Sequence, residues 1–167
     1  MSKIKIVCDS SAGLTEEEIK KYDITIVPLT VMIDGTVYTE RETITNDQFP
    51  GMMEKAKSLP KTSQPPIGKF VEAFDKLGAD GSQVLCVCMM ESISGTVHAA
   101  EQAANMSSTD VTVVDSHTTD RCMAFQIIEA AKVIENGGSV EDTVAKMQDV
   151  LSKSKLFLAI DKLDNLV

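Results

Sequence analysis

The run Val84-Leu85-Cys86-Val87-Cys88 is apolar at every position and is followed by a small-residue helical stretch, His98 to Ala104. A strand without a polar face has to be covered on both sides, which is the situation of a parallel strand held between two layers of helices. The unit recurs further on. Val111 to Val114 precedes a long helical pattern with Met123, Ile127, Ala131 and Ile134 on one face, stopped by Gly137-Gly138. Ile67, Val71, Phe74 and Leu77 predict a helix ahead of the central strand, and Val140, Val144, Met147 and Leu151 predict another after the second unit. Leu156 to Ile160 reads as a last strand.

The amino-terminal third is organised differently. Lys3 to Cys8 predicts a first strand, and Thr15-Glu16-Glu17-Glu18 is a capping box that opens a short helix to Tyr22. Ile24 to Val27 is stopped by Pro28. Thr30 to Ile33 is joined through Asp34-Gly35 to Val37-Tyr38, the signature of a two-residue hairpin at an edge or on a projecting ribbon. A second box, Thr45-Asn46-Asp47-Gln48, precedes a helix predicted to carry Phe49, Met52, Met53 and Ala56 on one face. Strand and helix alternate through most of the chain, so the expected class is α/β, a mainly parallel sheet flanked by helices with a β-hairpin excursion.

Composition removes whole classes of partner. The 167 residues, 43% of them hydrophobic, suffice for one domain with a real core. A net charge of −9 without a basic cluster argues against nucleic acid and against a polybasic membrane anchor. No apolar run is long enough to span a bilayer and the first residues lack a signal-peptide core, so the expectation is a cytoplasmic protein without stable membrane insertion. Cys8, Cys86, Cys88 and Cys122 show neither a Cys-x-x-Cys pair nor zinc spacing. Cys86 and Cys88 share one strand face and read as buried thiols, while an adjacent Asp9 would raise rather than lower the pKa of Cys8.

Two hydroxyl-rich segments stand out. Ser94-Gly95-Thr96 lies where the central strand turns into a helix, and Thr62-Ser63-Gln64-Pro65-Pro66 supplies a second turn upstream. A helix start offers unpaired N–H groups and the positive end of the macrodipole, so Ser94 can cap the helix and also face a carboxylate or phosphate. Neither segment is specific alone, because Ser-Gly-Thr at a helix start is most often only a cap. His98, just inside that helix, and His117 are the only histidines. Asp9 and Asp115 lie at strand ends, where carboxylates commonly tether loops by accepting backbone N–H bonds. They also admit a general acid/base reading, although no nucleophile or metal constellation accompanies them.

In order along the chain, Asp9-Ser10-Ser11, Val27-Pro28-Leu29, Thr62-Ser63-Gln64-Pro65, Ser94-Gly95-Thr96 and Asp115-Ser116 resemble the motifs of the DegV family of bacterial fatty-acid-binding proteins. The resemblance covers essentially the whole chain. It implies an amino-terminal α/β domain over residues 1–167, a second α/β domain, and one long-chain fatty acid such as palmitate held between them. It further implies a fatty acid kinase as partner, no enzymatic activity of the chain itself, and no metal or cofactor. The positions matching the family's carboxylate contacts are Thr62, Ser94 and the backbone of Gly95; Ser10 and Ser11 border the same sheet edge. Family members continue beyond the stretch matching Leu163 to Val167, so the resemblance implies that the carboxy-terminal domain is absent and the chain truncated. From pattern alone, Leu163 and Leu166 could equally dock as a short terminal helix.

There are departures from the family. Members often carry serines where this chain has Met90 and Glu91, and a tyrosine in place of Val97, so the head-group contacts rest on Thr62 and Ser94. Glu91 is expected to face solvent, since inward it would repel a carboxylate. Nine methionines, among them Met32, Met52, Met53, Met89 and Met90, are either core filler or the lining of an acyl tunnel. The alternative to a lipid-binding module is a small phosphotransferase or hydrolase that uses the Ser94 helix start as an anion site and Asp9 as base. The absence of a Gly-x-Ser-x-Gly elbow and of a Gly-rich Lys-Ser/Thr loop weighs against it.

Overall fold

The computed structural model of the chain describes residues 3–159. Its centre is a four-stranded parallel sheet of β1 (Ile4–Asp9), β2 (Thr25–Val27), β6 (Gln83–Cys88) and β7 (Val111–Asp115), in the order β2-β1-β6-β7. Val84 to Cys88 are completely buried, as an apolar run in a central strand requires. Alternation sorts their side chains into two cores. Leu85 and Val87, with Ile4, Ile6 and Cys8, face α5 (Asp120–Glu135) and α6 (Val140–Lys153), where Met123, Ile127 and Met147 are fully or almost fully buried. Val84, Cys86 and Cys88, with Val7, face α3 (Ile67–Gly78) and α4 (Thr96–Met106). Phe70 and Phe74 fill that second core with ring centroids 5.8 Å apart, while the alanines of α4 let its backbone lie close to the sheet.

The hairpin is more than a ribbon. β3 (Thr30–Ile33) and β4 (Thr36–Thr39) turn through Asp34 at φ 49° and Gly35 at φ 84°, the pair of positive φ angles that a two-residue turn of this type needs. On the other edge of β3 lies β5 (Lys61–Ser63), antiparallel, with Val31 opposite Thr62. The segment predicted as a hydroxyl-rich turn is therefore the edge strand of a separate three-stranded sheet, formed because β3 offers an unpaired edge. Val31, Ile33 and Ile44 make a third core with α2 (Phe49–Lys55), against which Phe49, Met52 and Ala56 pack. Met53 is exposed and does not share that face, contrary to the sequence expectation.

The last predicted strand does not form among the described residues. Residues 156–159 follow α6 without regular structure, with Phe157 and Leu158 86% and 84% exposed. An apolar run becomes a strand only beside a strand edge, and none pairs with it here. Ile160 and the Asp161 to Val167 terminus lie outside the described residues.

The short helix α1 (Glu16–Lys21) buries no side chain completely and depends on polar fastening. Thr15 and Glu18 close the predicted capping box, and Arg121 of α5 donates to both Glu18 carboxylate oxygens at 2.8 and 3.0 Å. These donors, the Arg121 guanidinium foremost, hold the Glu18 carboxyl down at about 2. A depressed carboxyl stabilises the fold above its ordinary value of 4.5 and ceases to do so as pH falls through about 2. Glu18→Gln is expected to lower the urea midpoint at neutral pH, with the difference from the unsubstituted protein closing between pH 4.5 and about 2. A pH-independent difference would show that the ion pair is not what fastens α1.

Candidate functional site

The strand order places a topological switch between β1 and β6. From β1 the chain winds outward to β2 on one side, whereas β6 and β7 extend the sheet on the other. Loops leaving the carboxyl ends of such neighbouring strands diverge and leave a crevice, the usual ligand position in open α/β sheets. Here the Asp9 carboxylate spans the divergence. One oxygen accepts from the Ser11 N–H at 2.9 Å, and the other from the Met89 N–H at 2.7 Å across the sheet. Asp9 has no exposed surface, and burial raises its carboxyl pKa against the lowering effect of those bonds. Both oxygens are thus engaged on backbone donors. This is the tether reading of Asp9.

Beyond Asp9, the small sheet and the start of α4 enclose a cleft of about 410 Å³. Its polar lining is the hydroxyl-bearing Thr62, Ser63 and Ser94, the amide-bearing Gln64, and Gly95. Leu29, Met89 and Ile93 supply the apolar part. No lining residue is charged. Thr62, opposite Val31 in the small sheet, also lines a second pocket of about 290 Å³, whose apolar part is Val31, Ile44 and Phe49 and whose polar part is Thr45, Asn46 and the carboxylate of Glu40. The two hydroxyl-rich segments, thirty residues apart in sequence, are brought to one opening, and Thr62 lines both the cleft and this second pocket.

Details at the helix start differ from the sequence reading. Helix α4 begins at Thr96, two residues before His98, and its N-cap is Gly95, which has no side chain to offer. Ser94 is therefore not the N-cap proper. Its Oγ accepts from the Thr96 N–H at 3.3 Å and shares a 2.8 Å hydrogen bond with the Thr96 hydroxyl. Thr96 is fully buried, so with Thr96 as donor the Ser94 proton is left free to point into the cleft. Leu29, Ile93 and Gln64 carry no sequence signal that marks them as cleft lining; the fold places them there, with Thr96 behind Ser94.

Other candidates fall away from the opening. Ser10 Oγ donates to Glu40 at 2.6 Å and accepts from the Leu29 N–H at 2.9 Å, pinning the start of β3 to the end of β1. Ser11 Oγ contacts the Met123 sulfur at 3.8 Å. Glu91 faces solvent and pairs with His98 Nε2 at 3.1 Å, while His98 Nδ1 lies 3.3 Å from Glu101. His117 pairs with Asp115, whose carboxylate also accepts the His117 and Glu91 N–H groups, a loop tether like Asp9. Cys86 and Cys88 are buried with their sulfurs 3.7 Å apart, and burial, then Asp9, pushes the Cys8 thiol far up and leaves it inert. Of the methionines considered for an acyl tunnel, Met89 lines the cleft, Met52 is core filler, and Met32 and Met53 are exposed.

The family model described as "Uncharacterised protein, DegV family" matches residues 3–167. The chain belongs to the DegV family. A DegV domain-containing protein from Listeria monocytogenes is 48% identical over 168 residues, covering all of this chain and 60% of the relative. The solved structure of DegV from Bacillus subtilis, titled a fatty acid binding protein, superimposes with a TM-score of 0.83 at 30% identity over 89% of this chain and 54% of that one. A stearic acid-binding protein from Eubacterium ventriosum gives 0.81 at 31% identity, over 89% and 52%. The chain spans about 60% of the length of the curated relatives it matches. Among its described residues no helix is long and apolar enough to cross a membrane.

In this DegV-family chain the Asp9 tether is open to direct test. Asn at position 9 keeps the shape but presents one acceptor to two inward-pointing N–H groups, leaving one buried donor against an NH₂. Asp9→Asn is expected to cost about 1–3 kcal/mol in urea unfolding, the usual penalty for an unsatisfied buried donor. Unchanged stability would mean that the divergence between β1 and β6 is held by something else.

Proposed function

We propose that this chain grips the carboxylate of a long-chain fatty acid such as palmitate in the cleft between β5 and α4, and presents it to a fatty acid kinase without performing chemistry itself. The observation that carries the reading is the neutral cleft in which Thr62, Ser94 and the Gly95 backbone meet at a helix start, beside the apolar side chains of Leu29, Met89 and Ile93. A carboxylate moved out of water needs several donors, since an unpaired ion there costs several kcal/mol. Hydroxyls and helix-start amides suit one negative charge. The solved relatives titled as fatty-acid binders share this fold at TM-scores above 0.8.

The tail would supply most of the affinity. At about 0.8 kcal/mol per buried methylene, a sixteen-carbon chain gains on the order of 10 kcal/mol before association costs, so the polar cleft orients the ligand more than it holds it. In this reading residues 1–167 form the amino-terminal, carboxylate-binding side of the site, and a second domain covers the tail. A kinase would then transfer a phosphoryl group from ATP to the presented carboxylate oxygen, releasing ADP and leaving an acyl phosphate.

Organic extracts of the intact purified protein are expected to contain co-purified long-chain fatty acid by mass spectrometry. Thr62→Ala with Ser94→Ala should remove it, and with it the acyl phosphate formed on adding a fatty acid kinase and ATP. The 167-residue chain alone should bind palmitate weakly or not at all. No fatty acid in the unsubstituted intact protein, and none taken up on exposure to palmitate, would overturn the assignment.

A further inference from the structure

Gln64 brings a different chemistry to the cleft from the hydroxyls of Thr62, Ser63 and Ser94. Among the side chains lining the cleft it is the only one with N–H donors, the others being hydroxyls or apolar groups. It makes no hydrogen bond to any described residue, and its backbone is fixed from both sides. Ser63 pairs with Thr30 in the small sheet, and Pro65 holds residue 64 to extended geometry. Its side chain lies across Gly95: a methyl group added there would collide with the Gln64 side-chain oxygen, the amide nitrogen lying further off at 3.5 Å. Gly95 has φ −77°, a conformation open to any residue, so nothing in the backbone requires glycine at this position. What glycine supplies is room for that amide at the tip of α4.

We propose that Gln64 is a specificity-determining residue of the site: with its terminal amide turned so that the NH₂ faces the ligand, it donates to the carboxylate beside Ser94, and Gly95 is glycine so that the amide has room to do so. The inference rests on the fatty-acid reading above. An amide donor distinguishes a carboxylate, with two acceptor oxygens and a full charge, from an alcohol or ester head group of the same chain length. Ser94 has one proton to offer the ligand, so a donor from the opposite wall supplies a second.

The test compares palmitate with hexadecanol on the intact protein and on Gln64→Ala, Gln64→Glu, Gly95→Ala and the Gln64→Ala/Gly95→Ala pair. Gln64 is exposed, and the Gly95→Ala collision is with the end of a flexible side chain, so thermal melts should match those of the unsubstituted protein. Palmitate Kd should rise roughly tenfold or more in Gln64→Ala and in Gly95→Ala, with hexadecanol Kd unchanged. The double substitution should be no worse than either single one, because both remove the same donor. Gln64→Glu, which sets a like charge against the carboxylate, should be weaker for palmitate than Gln64→Ala. Unsubstituted protein that binds palmitate together with an unaffected Gln64→Ala, or with losses that add in the double variant, overturns the role of Gln64 alone. Unsubstituted protein that binds no acyl ligand overturns this inference and the fatty-acid reading together.

Discussion

The Asp9 carboxylate is where the sheet and the cleft are joined. β1 and β6 run parallel and side by side through the centre of the molecule, yet the chain leaves them in different directions. The 118–120 segment ties both exits, Thr118 accepting the Met90 N–H at 2.9 Å and Asp120 donating its N–H to the Ser11 carbonyl at 3.0 Å, and Asp9 joins them directly. By taking the Ser11 N–H from one and the Met89 N–H from the other, Asp9 sets the position of the segment that runs from Met89 to Gly95 and so the position of the α4 tip. Ser10, its neighbour, does the corresponding work toward the small sheet through Leu29 and Glu40. Two adjacent residues at the end of one strand therefore place both walls of the opening. The cost of keeping a carboxylate in a site without solvent, visible in its raised pKa, is offset by the backbone donors that surround it.

The cleft is electrostatically distinct from the surface around it. The protein carries a formal charge of −9, which repels anions at long range, and the cleft lining contains no cation to reverse that effect. Short-range hydrogen bonding has to do what charge does not. A hydroxyl or amide donor acts only within contact distance and is little affected by the field of distant carboxylates, whereas their repulsion is screened over about 8–10 Å at physiological ionic strength.

How far the sequence disclosed this depends on the range of the interactions. Local rules succeeded where the determinants were adjacent. Examples are the unbroken apolar run of β6, Asp34-Gly35 in the hairpin, and the Thr15 and Glu18 box. A further box from Ser139 to Asp142 was missed because it uses Asp where the usual pattern has Glu or Gln. Non-local determinants were invisible. Lys61 to Ser63 has no apolar alternation and is a strand only because β3 lies beside it; residues 156–159 have the composition of a strand and no pairing strand among the described residues. At the site, hydroxyls at 62 and 94 were readable as types and through the family resemblance. The displacement of the cap to Gly95, the buried Thr96 behind Ser94 and the packing of Gln64 on Gly95 required the fold, since each depends on how α4 meets the end of β5.

A grip without cations has a chemical consequence for the proposed hand-over. A bidentate arginine would bind a carboxylate more strongly than hydroxyls do, but it would also draw electron density from both oxygens and hold them in its own plane. A carboxylate about to attack a phosphoryl group needs one oxygen unencumbered and its charge intact, because catalysis of phosphoryl transfer is largely positioning and electrostatic stabilisation supplied around the transferred group. Hydroxyl and amide donors fix the direction of the head group at lower cost to its nucleophilicity. In the proposed hand-over affinity would come from the buried tail, which the reaction does not change, and the neutral lining of Thr62, Ser94 and Gly95 would leave the reacting end to the kinase.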